Sequence, residues 1–136
     1  MSAFVVDASV AAAWLLPEEA TPYTEAMLAA IADGGVWAPA LWLLEIGNLL
    51  LSAERRRRID AAKRIELVAA AAALPLRIDR ELPDLVALDA LAAAYRLTSY
   101  DAIYLELARR RALPLATLDR KLLAAMQSVG VPRAAA

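Results

Sequence analysis

The chain has 136 residues, of which 61% are hydrophobic and 23% are charged, and its formal net charge is -1. It contains neither cysteine nor histidine, which excludes disulfide frameworks, thiol nucleophiles and the usual zinc or iron ligands. Catalysis would therefore rely on carboxylates, hydroxyls, cationic side chains or a metal bound by oxygen atoms. Oxygen ligation points to Mg²⁺ or Mn²⁺.

The length predicts a single domain over residues 1–136 with a sizeable core. The amino terminus lacks the basic region of a secretory signal. The most apolar stretch, residues 36–51, is interrupted by polar residues and is shorter than the roughly 20 apolar residues that span a bilayer. We therefore expect a soluble, cytoplasmic protein without a membrane partner.

Short apolar runs alternate with helical patterns along the chain. In chain order the predicted elements are a strand at 4–6, helices at 9–16 and 21–32, a strand at 36–38, helices at 39–51 and 60–74, a strand at 76–78, helices at 84–96 and 99–111, a strand at 113–118 and a helix at 120–129. A fifth strand at Val131 is a weaker prediction, and residues 134–136 are expected to fray. This alternation predicts an α/β fold with a parallel sheet covered on both faces.

Two acidic residues directly follow predicted strands. Asp7 comes after the first strand and Asp119 after the fourth, and each precedes a predicted helix. Ligands of open α/β sheets bind beyond the carboxyl ends of the strands, but an aspartate at this position is equally well explained as a helix N-cap. Ser9 and Thr117 lie two residues away from these acids and could donate hydrogen bonds to the carboxylates or to the backbone.

Two further acids belong to predicted helices. Glu45 has apolar neighbours, so an ionised carboxylate without a partner would be costly there. Asn48, three residues on, could orient it by a hydrogen bond, and a salt bridge to a buried arginine is the alternative. Asp101 follows Thr98 with the spacing of a capping box, which on local evidence is the stronger explanation.

Taken together, the four acids predict a metal site. Two lie at strand ends and two on helices that begin near the same edge of the sheet, so we expect them to converge. Four converging carboxylates without a cation would repel one another, which would raise some of their pKa values and destabilise the fold. A divalent ion with water as its remaining ligands relieves this repulsion.

Four segments, in this order, resemble the PIN-domain ribonucleases and, more narrowly, the VapC-type toxins of bacterial toxin–antitoxin pairs. They are Val-Val-Asp-Ala-Ser at 5–9, Glu45 with Asn48, Tyr-Asp-Ala-Ile-Tyr-Leu at 100–105, and Leu-Ala-Thr-Leu-Asp at 115–119. The resemblance covers essentially the whole chain. It implies a PIN-like three-layer α/β/α sandwich with a short central parallel sheet of four to five strands.

The same resemblance assigns the site residues and partners. It implies that the catalytic and metal-binding acids are Asp7, Glu45, Asp101 and Asp119, and that the supporting polar residues are Ser9, Asn48 and Thr117. The implied ion is Mg²⁺, with Mn²⁺ as a substitute. The implied substrate is RNA, and the implied partners are a cognate antitoxin, whose segment lies over the active-site groove, and a second copy of the chain in a homodimer.

Phosphodiester hydrolysis is the reaction that suits such a site, because a metal lowers the pKa of water and stabilises charge on the phosphoryl oxygens. We expect Asp7 and Asp101 to be the closest ligands. Glu45 and Asp119 would complete the coordination shell, hold a second ion or orient the attacking water. Which acid acts as a general base stays open.

A polyanionic substrate also requires cations around an acidic site. Arg120 and Lys121 are the best phosphate-binding candidates because they adjoin Asp119. Further candidates are the arginines at 55–58, at 77 and 80, and at 109–111, although the run at 55–58 is more typical of a solvated helix end.

Tyr100 and Tyr104 could stack on bases, but their helical spacing favours core positions. Helices at 21–32 and 55–74 either form a groove for an amphipathic partner helix or only pack a core.

A metal-dependent ribonuclease that acts as a toxin is therefore the leading hypothesis. One alternative is a phosphohydrolase of a small substrate with Asp7 as a covalent nucleophile, which an aspartate at position 9 would favour and Ser9 does not. The other is a non-catalytic binding module with a PIN-like fold, in which the acids are only helix caps and salt-bridge partners.

Overall fold

A computed structural model of the chain describes residues 3–135. The strands are β1 (Phe4–Val6), β2 (Val36–Pro39), β3 (Leu76–Asp79) and β4 (Leu115–Ala116). The helices are α1 (Ala8–Leu15), α2 (Pro22–Ala30), α3 (Leu41–Arg55), α4 (Ala61–Ala72), α5 (Leu85–Tyr95), α6 (Ser99–Arg111) and α7 (Arg120–Val129). Short 3₁₀ turns occur at Pro17–Glu19 and Ile31–Asp33.

The four strands form one parallel sheet in the order β3-β2-β1-β4. The residues of β1 are fully buried, as expected of a central strand covered by helices on both faces. The helices form two groups: α1 packs against α2, α3 and α4, whereas α6 packs against α5, α7 and the strands β1 and β2. This arrangement confirms the predicted α/β fold, and none of the described helices is long and apolar enough to cross a membrane.

Strand β4 is shorter than the predicted strand at 113–118. The N–H of Leu118 would continue the ladder with β1 but donates to the Ser9 hydroxyl at 3.1 Å, and the N–H of Asp119 donates to the Thr117 hydroxyl at 3.0 Å. Strand β4 therefore ends at Ala116, where the candidate site begins.

The segment after α7 is held more firmly than expected. Its predicted fifth strand is only a single parallel bridge between Leu115 and Arg133. The N–H of Ala134 donates to the carbonyl of Leu115 at 3.0 Å, and Ala134 is buried, so its predicted fraying is wrong. Arg133 stacks on the ring of Tyr23 with its guanidinium carbon 3.8 Å from the ring centroid. Ala136, the last residue of the predicted frayed tail, lies outside the described residues.

The boundary between β2 and α3 also differs from the prediction that Pro39 opens a helix. Pro39 is the last residue of β2, where it lies opposite Asp79 of β3, and α3 begins at Leu41. The N–H of Ala40 donates to the carbonyl of Asp79 at 3.0 Å, which extends the pairing of the two strands by one bond. Helix α3 thus starts close to the carboxyl end of the sheet, one turn before Glu45.

Candidate active site

The register of the sheet brings Asp7 and Thr117 together. Val6 of β1 lies opposite Ala116 of β4, and the N–H of Asp7 donates to the carbonyl of Ala116 at 3.1 Å. Asp7 and Thr117 are therefore the first residues beyond two adjacent parallel strands. Asp7 is only 5% exposed, and Thr117 is fully buried.

Two hydroxyls hold the Asp7 carboxylate, one on each oxygen. Ser9 donates to Oδ1 at 2.6 Å and Thr117 donates to Oδ2. Each hydroxyl also accepts a backbone N–H from the β4–α7 loop: Leu118 donates to Ser9 and Asp119 donates to Thr117. Because each hydroxyl oxygen is engaged as an acceptor, its proton is directed at Asp7, and the carboxylate is fixed in one orientation.

The two strand-end acids are also helix caps. The N–H of Val10 donates to Asp7 Oδ1 at 3.2 Å, and the N–H of Leu122 donates to Asp119 Oδ1 at 3.0 Å. Capping and a role in a site are thus not alternatives here, because capping orients each carboxylate at the carboxyl end of its strand. Oδ2 of Asp119 makes no hydrogen bond within residues 3–135 and is free to bind a ligand.

Glu45 is positioned by a residue from another helix. Tyr104 of α6 is only 1% exposed and donates its hydroxyl to Glu45 Oε1 at 2.5 Å. Within the described residues Glu45 has no salt bridge to an arginine, and Asn48 does not hydrogen-bond to it. Burial raises the pKa of Glu45, the Tyr104 hydrogen bond opposes this, and repulsion from Asp101 and Asp7 raises the pKa further.

Asp101 faces the same region from the first turn of α6. Its N–H donates to the Thr98 hydroxyl oxygen at 3.1 Å, which supplies one half of the predicted capping box. Burial raises the pKa of Asp101, and repulsion from Asp119 raises it further, whereas Thr98 and Lys121 lower it. These repulsions connect all four predicted acids. Asp101 and Asp7 raise the pKa of Glu45, and Asp119 raises the pKa of Asp101.

The four acids do not converge as closely as expected. Within residues 3–135, no three acidic side chains lie close enough together to hold an ion by themselves. Mg²⁺, however, usually keeps several waters and binds through one or two carboxylates together with substrate phosphates. Burial raises the pKa of Asp7 against the hydrogen bonds from Ser9 and Thr117, and no cation pairs with it among the described residues. A set of mutually repelling, oxygen-only donors therefore fits a divalent ion.

Asp79 is also a buried acid, but unlike Asp7 it is paired with cations. Its side chain is 1% exposed, and it receives two hydrogen bonds from Arg110, at 3.0 and 3.1 Å, and one from Arg111 at 2.9 Å. Burial alone would raise the pKa of Asp79, but these two guanidinium groups hold it below the usual value. This acid already has its counter-charge, which distinguishes it from Asp7.

The cations predicted to surround the site differ in whether their charge is already paired. Arg120 and Lys121 are exposed at the start of α7, directly after Asp119, and Lys121 is near enough to lower the pKa of Asp101. Arg110 and Arg111, two of the further candidates, both pair with Asp79, so their charge is already partly balanced within the chain. Arg111 also stacks on Trp37, with its guanidinium carbon 3.5 Å from the ring centroid.

The raised pKa values predict the pH dependence of the metal-free protein. For Asp7, Glu45 and Asp101, the folded state holds more protons than the unfolded state between the unfolded and the raised folded pKa values. Their contribution is therefore fully present below the unfolded values and is lost as the pH rises through that window. Asp101→Asn should remove part of this loss and raise the melting temperature in EDTA at pH 7 by about 3 °C.

Thermal unfolding of this variant from pH 4 to 8 checks the expectation. Asp89→Asn is the matched control, because Asp89 is exposed on α5 and is not among the charges that these acids sense. An equal effect of both substitutions at every pH would show that the site acids do not destabilise the metal-free fold.

Comparison with known proteins agrees with this fold. A family model described as the PIN domain matches residues 4–127, a range that contains all four acids. The chain is also similar to the crystal structure of PAE2754 from Pyrobaculum aerophilum, with a TM-score of 0.72 and 27% sequence identity over 90% of this chain and 84% of that chain. No curated protein matches the chain. The chain therefore belongs to the PIN domain family.

Proposed function

We propose that the chain is a Mg²⁺- or Mn²⁺-dependent endoribonuclease that acts in the cytoplasm as the toxin of a toxin–antitoxin pair. PIN domains are generally nucleases that use divalent metals, and they generally bind RNA. The observation that carries the proposal is the state of Asp7. It is a buried carboxylate, oriented by Ser9 and Thr117, with acids rather than cations around it.

The four acids would hold the metal, with Asp7 and Asp101 as its closest ligands. When bound, the ion supplies a Lewis acid that lowers the pKa of water and neutralises charge on the phosphoryl oxygens. The chain's own contribution is preorganisation: Ser9 and Thr117 fix Asp7, and Tyr104 fixes Glu45. Groups held in place before the reaction need no reorganisation during it.

The neighbouring cations would bind the substrate backbone. Arg120 and Lys121 follow Asp119 at the amino terminus of α7, and the helix dipole there also favours an anion. Contacts of this kind position a phosphodiester without reading its sequence. Asp119 keeps one carboxylate oxygen without a hydrogen bond in the described part of the chain, so it can contribute to the coordination or orient water.

The experiment that tests this activity is cleavage of a labelled single-stranded RNA by the purified protein. Cleavage should require Mg²⁺ or Mn²⁺, stop with EDTA and return when excess Mn²⁺ is added. A DNA strand of the same sequence serves as the comparison substrate. RNA cleavage that persists in EDTA would contradict the metal dependence, and failure to cleave any RNA would favour the binding-module alternative. Trapping of a phosphorylated Asp7 would instead favour the small-substrate phosphohydrolase.

The inhibition by an antitoxin is supported by an apolar groove between α3 and α4. The groove has a volume of about 120 Å³ and is lined by Trp42, Leu43, Ile46 and Val68 together with alanines of α4. The predicted groove lies between the helices at 21–32 and 55–74. The observed groove has α3 rather than the helix at 21–32 as one of its walls. A pocket of this size suits one apolar side chain on the face of a partner helix. Expression with and without the product of the adjacent upstream reading frame, with growth and RNA integrity as readouts, tests this proposal.

A homodimer is supported by an apolar patch before and within the first turn of α5. Leu82, Leu85 and Val86 are 74–79% exposed, which is unusual for large apolar side chains in one short segment. Light scattering after size-exclusion chromatography should give twice the chain mass of 14.6 kDa. Leu85→Glu should shift the protein towards the monomer, and an unchanged mass would assign the dimer contact elsewhere.

A further inference from the structure

A second, larger groove adjoins Glu45. It has a volume of about 680 Å³, and we name it the α3 groove because most of its wall is one face of that helix. Its polar lining consists of Glu45, Asn48, Ser52, Arg56, Arg58 and Tyr100, together with Glu19. Glu45, Asn48, Ser52 and Arg56 are spaced three or four residues apart, so they form a polar stripe that leads away from the acids.

Among the described residues, the charges in the α3 groove leave one cation, Arg56, for a ligand. Arg58 donates to Glu18 at 2.7 Å and to Glu19 at 2.9 Å, so its charge is already balanced. Arg56 is exposed at the end of α3 and makes no ion pair within residues 3–135. The stripe therefore runs from a carboxylate at the site to an uncompensated guanidinium about three helical turns away.

Tyr100 supplies an aromatic surface at the same groove. It is 61% exposed and immediately precedes Asp101, whereas Tyr104, one turn later, is buried and bonded to Glu45. An exposed ring beside the site offers a face on which an unpaired base can stack. Bases of a duplex are already stacked on one another, so this surface selects a single strand.

We propose that the α3 groove is a nucleotide subsite for the single-stranded RNA flanking the scissile phosphodiester. A base stacks on Tyr100, a neighbouring phosphate is bound by Arg56, and Asn48 and Ser52 present hydrogen-bonding groups to the sugar or base between them. The inference rests on the proposed function, since it extends the substrate path from the acids. Leu41, Leu44 and Leu49 also line the groove and offer an apolar surface to a base. Charge complementarity between Arg56 and phosphate favours RNA over an apolar peptide as the occupant.

Binding can be separated from cleavage in an Asp7→Asn background with a labelled single-stranded RNA and fluorescence anisotropy. Arg56→Ala should weaken binding by about 10-fold at low salt and reduce the salt dependence by about one phosphate contact. Arg55→Ala is the matched control: it removes the same charge from the neighbouring exposed position, which does not line the groove. Tyr100→Ala should weaken binding by about 10-fold. Tyr100→Phe keeps the ring and should bind RNA as the parent protein does.

Each outcome decides the proposal. Equal effects of Arg56→Ala and Arg55→Ala, or wild-type affinity of Tyr100→Ala, would overturn the subsite while an active nuclease would leave the proposed function intact. Loss of antitoxin binding with unchanged RNA affinity in both variants would assign the groove to the protein partner and also overturn the subsite. A parent protein that neither binds nor cleaves RNA would overturn both proposals together.

Discussion

Asp7→Asn should lower the rate of RNA cleavage by about 10²–10³-fold or more. The substitution keeps the size of the side chain but removes the negative charge of the carboxylate. Two hydroxyls and a helix N–H donate hydrogen bonds to that carboxylate. An amide in this position loses the attraction for a divalent ion, and its NH₂ group faces hydroxyls whose protons already point towards it. Single-turnover cleavage with saturating Mg²⁺ measures the effect on the chemical step.

Asp89→Asn is the control for this substitution, because it makes the same chemical change at an exposed position of α5. It should leave the rate within a factor of about two of the wild type. Circular dichroism and thermal unfolding of both variants establish that the fold is retained. Wild-type cleavage by Asp7→Asn would mean that Asp7 is a helix cap and no more.

Asp79→Ala should lower the free energy of unfolding by about 3 kcal/mol, near the lower end of what breaking a buried ion pair costs. The substitution leaves Arg110 and Arg111 without their shared acceptor and removes the acceptor of the Glu81 N–H. Both guanidinium groups remain partly exposed, so water compensates for part of the loss. Urea denaturation gives the change directly, and the melting temperature should fall by roughly 10 °C.

Glu81→Ala provides a matched control, because Glu81 pairs with the same Arg110 at 2.8 Å but its side chain is 71% exposed. An exposed pair contributes less than about 1 kcal/mol, so this variant should unfold almost like the wild type. Equal destabilisation by the two substitutions would show that burial of the Asp79 pair adds nothing. Both variants should retain metal-dependent cleavage at a temperature where they are folded.

The fold was largely predictable because each element carries its own local signal. Apolar runs marked the strands, and side-chain caps marked the starts of several helices: Thr21, Asp60, Asp84 and Thr98 all accept the N–H three residues on. The length of β4 was not predictable. Thr117 and Leu118 suit a strand by themselves, and only the approach of Ser9 from α1 diverts the N–H of Leu118 that would have continued the ladder with β1.

The electrostatic contacts among the four acids follow from order in the sequence together with parallel strand pairing. Their supporting partners were harder to predict, because each bond joins residues distant in sequence. Tyr104 was expected to be a core residue and is one, but its hydroxyl bonds to Glu45, 59 positions away. The role of Asp79 has no signal in the sequence. It directly follows the predicted strand at 76–78, and its partners Arg110 and Arg111 have the pattern of surface cations at the end of α6. In both cases the hydrogen-bond partner of the polar group is set by the packing of distant elements, which local sequence patterns do not encode.

Binding of Mn²⁺, followed by electron paramagnetic resonance in the absence of RNA, tests most directly whether these acids form a metal site. The wild-type protein should bind the ion, and both Asp7→Asn and Asp101→Asn should weaken the affinity by at least about 10-fold, a loss known from changes to the surroundings of metal ligands. Asp89→Asn should bind as the wild type does. Unchanged Mn²⁺ affinity in Asp7→Asn and Asp101→Asn, with both variants folded, would contradict the account.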